Sequence, residues 1–131
     1  GKLHTVTPSL SDLDIRKKLP YRNPMCHPTV MLRRSAVTSV GGYLGNIHSQ
    51  DYDLWITLAA DGQNKFANLP DVCLGYRAVS SGAARKARSA YAAMAASQVY
   101  AGLMSCRLQW FLGLFISMAK SLSRPFVTKA E

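Results

Sequence analysis

The chain has 131 residues, 48% of them apolar, and a mean hydropathy of −0.01. That is enough for one domain with a real core, and it excludes a disordered or plainly membrane-embedded protein. Sixteen Lys and Arg against seven Asp and Glu give a net charge of +9, which favours an anionic partner: phosphates, nucleic acid or a membrane surface. A merely soluble basic surface is the plainer alternative. Cys26, Cys73 and Cys106 are widely spaced and form no CxxC. They point to a reducing compartment rather than a disulfide framework or a zinc knuckle. The first four residues show neither an initiator methionine nor a signal-peptide pattern, so a piece of a longer protein is expected.

In chain order, residues 11–19 read as a short helix. Ser11 is its N-cap, Asp12 and Asp14 lie in the first turn, a basic run lies in the last, and Pro20 stops it. "YRNPMCHP" (21–28) carries two prolines and is extended or turning. Residues 29–32 predict a buried strand closed by Arg33 and Arg34, and residues 35–40 a short helix capped by Ser35 and ended by Gly41 and Gly42. After a polar loop (43–49), residues 50–60 give the best helix of the first half, stopped by Asp61 and Gly62. Two short strands, 65–68 and 72–78, follow around a turn at Leu69, Pro70 and Asp71. Helices alternating with short strands predict an α/β layer arrangement rather than a bundle.

Composition changes at residues 80–82, dividing the chain into 1–81 and a basic, apolar helical tail, 82–131. The tail predicts helices over 83–105 and 108–122, with Gly102 weakening the join. Its run "LQWFLGLFISMA" (108–119) is too short to span a bilayer, which needs about 20 residues. With flanking cations it could lie in an anionic membrane interface, or it could dock on the core. Trp110, Phe111 and Phe115 suit either reading.

The helix at 50–60 carries Asp51 on the same face as its core residues Leu54 and Trp55, while Asp53 is expected to point into solvent. A carboxylate at a helix N-terminus, directed inward, can act as a general base; a carboxylate that caps its own helix is the structural alternative.

Three segments, "RNPMCHPTVMLRRSAVTSVGGY", "QDYDLW" and "FANLPDVCLGYR", resemble the C-terminal half of a bacterial family 2 glycosyltransferase, in order and at matching intervals over residues 4–78. The resemblance implies a GT-A (nucleotide-diphospho-sugar transferase) fold of which residues 1–81 would be the acceptor-side segment. It also implies inverting transfer of a sugar from a nucleotide-sugar donor to a glycan or lipid-linked acceptor. In that family an Glu-Asp pair opens this helix and its Asp deprotonates the acceptor hydroxyl. The role carries over to Asp51, although the pair here reads Gln50 and Asp51. A divalent metal, Mg or Mn, would neutralise the leaving diphosphate in the complete enzyme, with ligands mostly outside this chain. The two Asp-x-Asp spacings, at 12–14 and 51–53, start helices and are rejected as the metal site. No glycine-rich strand-to-helix turn for a nucleotide is present, so the chain alone is expected to be inactive and to need no cofactor.

The same resemblance places "NPMCHP" near the cleft, making His27 a candidate contact beside a structural-histidine alternative. Arg22 is the preferred phosphate clamp among Arg22, Arg33, Arg34 and Arg77. Tyr43 and its loop are the expected acceptor contacts, with Gln50 and Trp55 beside the base; Trp55 is a core residue first. The competing classes are a basic nucleic-acid-binding module, for which no recognised motif appears, and a non-catalytic interaction fragment. Nucleic acid is therefore not the expected partner. The expected location is cytoplasmic, peripheral to the inner membrane through the tail, with self-association of the fragment expected from its uncovered sheet.

Overall fold

The computed structural model describes residues 5, 7–43, 49–75 and 88–123. Among these are five α-helices: α1 (Asp12–Lys18), α2 (Arg34–Ser39), α3 (Gln50–Ala60), α4 (Arg88–Ser105) and α5 (Leu108–Leu122), with one 3-10 turn at His27–Thr29. No strand occurs among the described residues, so the expected α/β class and its GT-A sheet are overturned in favour of an all-helical arrangement. The compositional break at 80–82 and residues 76–78 of the second expected strand lie outside the described residues.

The reason the strands fail is specific. A strand needs a neighbouring strand to take its backbone groups, and here the Phe66 N–H goes to a side chain of α1, which also holds the chain just before it. Asp12 Oδ1 accepts from the Phe66 N–H (2.8 Å), while Arg16 donates to the carbonyls of Ala59 (2.8 Å) and Asn64 (2.5 Å). Arg16 also pairs with Asp12 (2.8 Å) and lies over the Phe66 ring, 5.3 Å from its centroid. Among the described residues, the backbone bond of residues 65–68 to another segment runs from the Asn68 N–H to the Leu10 carbonyl (3.2 Å). Residues 30–32 run on from the 3-10 turn with no partner strand among the described residues, and Met31, expected to be buried, is 97% exposed. Residues 72–75 are exposed and irregular.

The helices follow their local chemistry. Ser11 caps α1 by accepting from the Asp14 N–H, the acids fill the first turn, and Arg16, Lys17 and Lys18 fill the last. α2 starts one residue before the expected cap: Arg33 is its N-cap and makes no side-chain capping bond. It ends where Gly41 and Gly42 take φ of +82° and +76°, a left-handed exit that glycine adopts without strain, with the Gly42 N–H on the Val37 carbonyl. α3 is the core: Tyr52, Asp53, Leu54, Trp55, Ile56 and Leu58 are all buried, more than one amphipathic stripe provides. The second buried side exists because α4 packs against it.

α4 and α5 form an antiparallel hairpin joined at Cys106, whose φ is +52°, and Arg107. α5 turns its small residues inward, and Trp110, Gly113 and Ser117 are its buried positions. Leu108, Leu112, Phe115 and Leu122, spaced at helical intervals along one face, point outward instead.

One node ties these parts together. The Tyr52 hydroxyl donates to the Leu19 carbonyl (2.6 Å), and Gln98 Nε2 donates to the Pro20 carbonyl (2.7 Å) and to Tyr52 Oη (3.2 Å). Burial pushes the Tyr52 phenol well above its ordinary pKa; the Gln98 hydrogen bond pulls the other way and the Asp53 charge adds to the rise. The group therefore stays neutral and keeps donating. α5 crosses this node at Gly113, where a Cβ would sit 1.9 Å from the Pro20 carbonyl oxygen.

Gly113→Ala is expected to lose about 2 kcal/mol or more, because the clash is with backbone and outweighs the ~1 kcal/mol by which alanine favours a helix. Gly102→Ala meets only the half-buried Phe111 ring, 3.0 Å away, which can turn aside, so it should stay within about 1 kcal/mol of the parent. Urea unfolding midpoints of the two variants check this; equal losses would show that the Pro20 crossing is not tight.

Candidate functional site

α3 brings two acids in its first turn to opposite fates. Asp53, expected in solvent, is 9% exposed against α4, where the Ser97 hydroxyl donates to its Oδ1. The correction follows from the hairpin: α4 covers the side of α3 that a single-stripe reading leaves open. Asp51 lies on another side, half-buried, and accepts a 2.6 Å hydrogen bond from Asn23 Nδ2.

Asn23 belongs to the turn that follows α1. Its Oδ1 accepts from the Met25 N–H (3.1 Å), an Asx turn of the kind Asn favours before proline. The two bonds agree on one amide orientation, since exchanging O and N would set oxygen against carboxylate and N–H against N–H. Asp51 is thus held by a donor whose own position is fixed by the backbone.

Trp55, one turn further along α3, is fully buried, and its ring centroid lies 6.2 Å from that of His27. His27 is exposed; its Nε2 is 3.0 Å from the Tyr43 hydroxyl, with the two rings edge to face. Trp55 Nε1 is buried without a hydrogen-bond partner, a cost of about 1–3 kcal/mol that packing must outweigh. The structure therefore gathers Asp51 with Asn23, and His27 with Tyr43 and Trp55, about the first turns of α3. Gln50 is exposed at the helix start, apart from these contacts. The rest of the loop after Tyr43, residues 44–48, lies outside the described residues, as does Arg77; Arg33 and Arg34 are exposed.

Arg22 is also exposed, and it lines a cavity of about 220 Å³ together with Tyr21 and Asn23, Tyr91 and Met94 of α4, and Ser117 and Lys120 of α5. Three residues of this neighbourhood were not singled out by sequence reasoning. Asn23 carried a local signal, its Asn-Pro turn, but its reach to Asp51, 28 positions away, did not show. Ser97 and Lys120 carried none, because only the docking of the hairpin brings them here.

Among the described residues no three His, Cys, Asp or Glu converge. Cys26 is a free, exposed thiol beside His27, Asp12 is engaged by Arg16 and the Phe66 N–H, and Asp53 is engaged by Ser97. These residues do not fit a divalent metal ion.

No family model matches the chain, and no solved structure matches it. Similarity to known proteins is nevertheless clear. The O-antigen biosynthesis glycosyltransferase WbnJ of Escherichia coli is 30% identical over 109 residues, 82% of this chain and 42% of that protein. The amylovoran biosynthesis glycosyltransferase AmsE of Erwinia amylovora is 38% identical over 71 residues, 54% of this chain and 26% of that protein. An uncharacterized glycosyltransferase of Haemophilus influenzae is 36% identical over 101 residues, 77% of this chain and 34% of that protein. The chain is related to glycosyltransferases, and it spans less than half the length of these relatives.

The Asn23–Asp51 contact can be tested in the chain itself. Asn23→Asp sets two carboxylates against each other, so one of them should hold its proton about one unit or more above the ordinary value of ~3.9. With a folded pKa raised above the unfolded one, this pair destabilises the variant least at low pH, and the variant should lose stability relative to the parent as pH rises through that range. Carboxyl carbon NMR titration reads this directly; unshifted titrations would mean that the two side chains are apart in solution.

Proposed function

We propose that this chain is the acceptor-side portion of an inverting, family 2 glycosyltransferase serving cell-surface polysaccharide or lipid-linked glycan synthesis, with Asp51 as its general base. The observation that carries this reading is the Asp51 carboxylate, half-buried at the start of α3 and held by Asn23 beside the His27, Tyr43 and Trp55 cluster. The relatives' names supply the reaction class. An acceptor alcohol attacking the anomeric carbon of a nucleotide-sugar must lose its proton as the new C–O bond forms and the bond to the diphosphate breaks. Asp51 receives that proton, Asn23 keeps the carboxylate aimed, and the buried Trp55 packs beside His27. His27 and Tyr43, exposed and joined to each other, are placed to meet the polar groups of an acceptor.

The outward stripe of α5 supports a place at the inner, cytoplasm-facing surface of a membrane. No helix among the described residues is long and apolar enough to cross one, yet Leu108, Leu112, Phe115 and Leu122 are 55–83% exposed along a single face. Residues 88–122 contain Arg88, Arg107 and Lys120 but no Asp or Glu. An apolar stripe on an acid-free, basic hairpin is complementary to anionic lipid.

In the complete enzyme, Asp51→Asn should lower kcat by about 10²–10⁴-fold while nucleotide-sugar affinity persists; turnover near that of the parent would remove Asp51 from the chemistry. Separately, the chain should float with anionic vesicles but not with neutral ones, and Leu112→Glu with Phe115→Glu should abolish flotation without unfolding the hairpin, since both side chains face outward. Flotation unaffected by the double substitution would refute the lipid contact.

A further inference from the structure

The geometry points to the cavity between the turn after α1 and the α4–α5 hairpin as a phosphoryl-binding site held by Arg22 and Lys120. It deepens the glycosyltransferase reading by placing an anion beside Asp51, and it rests on that reading for its meaning. Arg22 comes from the turn and Lys120 from the last turns of α5, 98 positions apart by their numbers. None of the described residues lining the cavity is acidic, and the ion pair found among the described residues joins Arg16 to Asp12, elsewhere. Two cations facing one concavity with no carboxylate between them repel each other, and an anion relieves that repulsion.

The remaining walls suit the same guest. Tyr21, Tyr91 and Ser117, each bearing a hydroxyl, line the cavity, and so does Asn23, which bonds Asp51. Hydroxyl donors together with a guanidinium fork and an ammonium are the groups that recognise phosphoryl oxygens. Size sharpens the assignment. At about 220 Å³ the cavity is smaller than the ~300–1,000 Å³ of sites that enclose a drug-sized ligand. It takes a headgroup, with the rest of the ligand outside. Asn23 both lines this site and holds the carboxylate proposed to deprotonate the acceptor, so a phosphoryl group held here would set where the reacting molecule lies against Asp51.

The phosphoryl group could belong to a lipid-like acceptor or to a soluble nucleoside diphosphate. A second, apolar cavity of about 290 Å³ on the same hairpin, between Ala95 and Val99 of α4 and Leu114 and Met118 of α5, offers room for hydrocarbon.

Calorimetric titration of the chain with decyl phosphate, uridine diphosphate and uncharged decyl glucoside tests the proposal and tells the sources apart. A phosphate-bearing probe should bind, and Arg22→Gln or Lys120→Gln should each weaken it about tenfold or more. Lys65→Gln, which removes the same charge from a surface outside the cavity, should not. Tighter binding of decyl phosphate assigns the site to an amphiphile and tighter binding of the nucleotide assigns it to the donor; either supports the site. Decyl glucoside binding as well as decyl phosphate, no phosphate binding at all, or equal weakening by Lys65→Gln overturns it. The two readings fail separately: loss of turnover in Asp51→Asn with unchanged affinities in Arg22→Gln and Lys120→Gln sinks only the phosphoryl site, and the reverse pattern sinks only the base.

Discussion

The carbonyl of Pro20 is the point on which the described fold turns. It belongs to a residue that cannot continue α1, so the chain leaves the helix there and presents two successive carbonyls, of Leu19 and Pro20, to the interior. Buried carbonyls need donors. Tyr52 of α3 serves the first and Gln98 of α4 the second, and α5 approaches closely enough that only a glycine fits at position 113. Four helices are thereby registered against two peptide units. The arrangement is not fully satisfied, because Gln98 Oε1 is buried without a partner. Two good donor bonds from one amide outweigh an unused acceptor, since carbonyl oxygens tolerate under-satisfaction better than N–H groups do.

The functional consequence lies immediately downstream. Because Pro20 is pinned, Tyr21, Arg22 and Asn23 emerge from a fixed point, and Asn23 can reach Asp51 while Arg22 borders the cavity. The elements that form the fold and those that would perform chemistry are thus consecutive residues of one turn. Asp51, in turn, sits on the helix that carries Tyr52, so the donor and acceptor of the Asn23–Asp51 bond are each one or a few residues from the node.

How much of this was legible follows from which interactions are local. The spans of α3 and α5 came out as the apolar pattern, and for α3 the flanking stop, predicted, because those signals lie within or next to the segments themselves. The caps of α1 were readable for the same reason. The strands were not. Residues 65–68 have a composition that suits a strand, but whether they form one depends on what lies alongside, and Asp12 takes the Phe66 N–H while Arg16 holds the Asn64 carbonyl just before them. Asp53 fails in the same way, since its burial is decided by α4, more than 35 residues later in the chain. Asp51 and its candidate neighbours were picked out from spacing and resemblance, but Asn23, which fixes the carboxylate, was visible only as a turn residue.

α5 shows why hydrophobicity alone misleads about which face is inside. Its strongest apolar residues would have been placed in the core by any area argument, yet the inner face carries glycine and serine beside one tryptophan. The constraint is distance: with the Pro20 carbonyl against Gly113, large side chains cannot be accommodated there, and the leucines are turned outward by the same rotation. The two acids of α3 divide by the same logic. Rotation about the helix sends Asp53 to α4, where a serine ties it into the packing, and sends Asp51 to the turn, where an amide holds it but leaves it half exposed. A carboxylate sealed between helices can hold structure but cannot meet a substrate hydroxyl. The one left at the edge can, and the docking of α4 on α3 decides which acid that is.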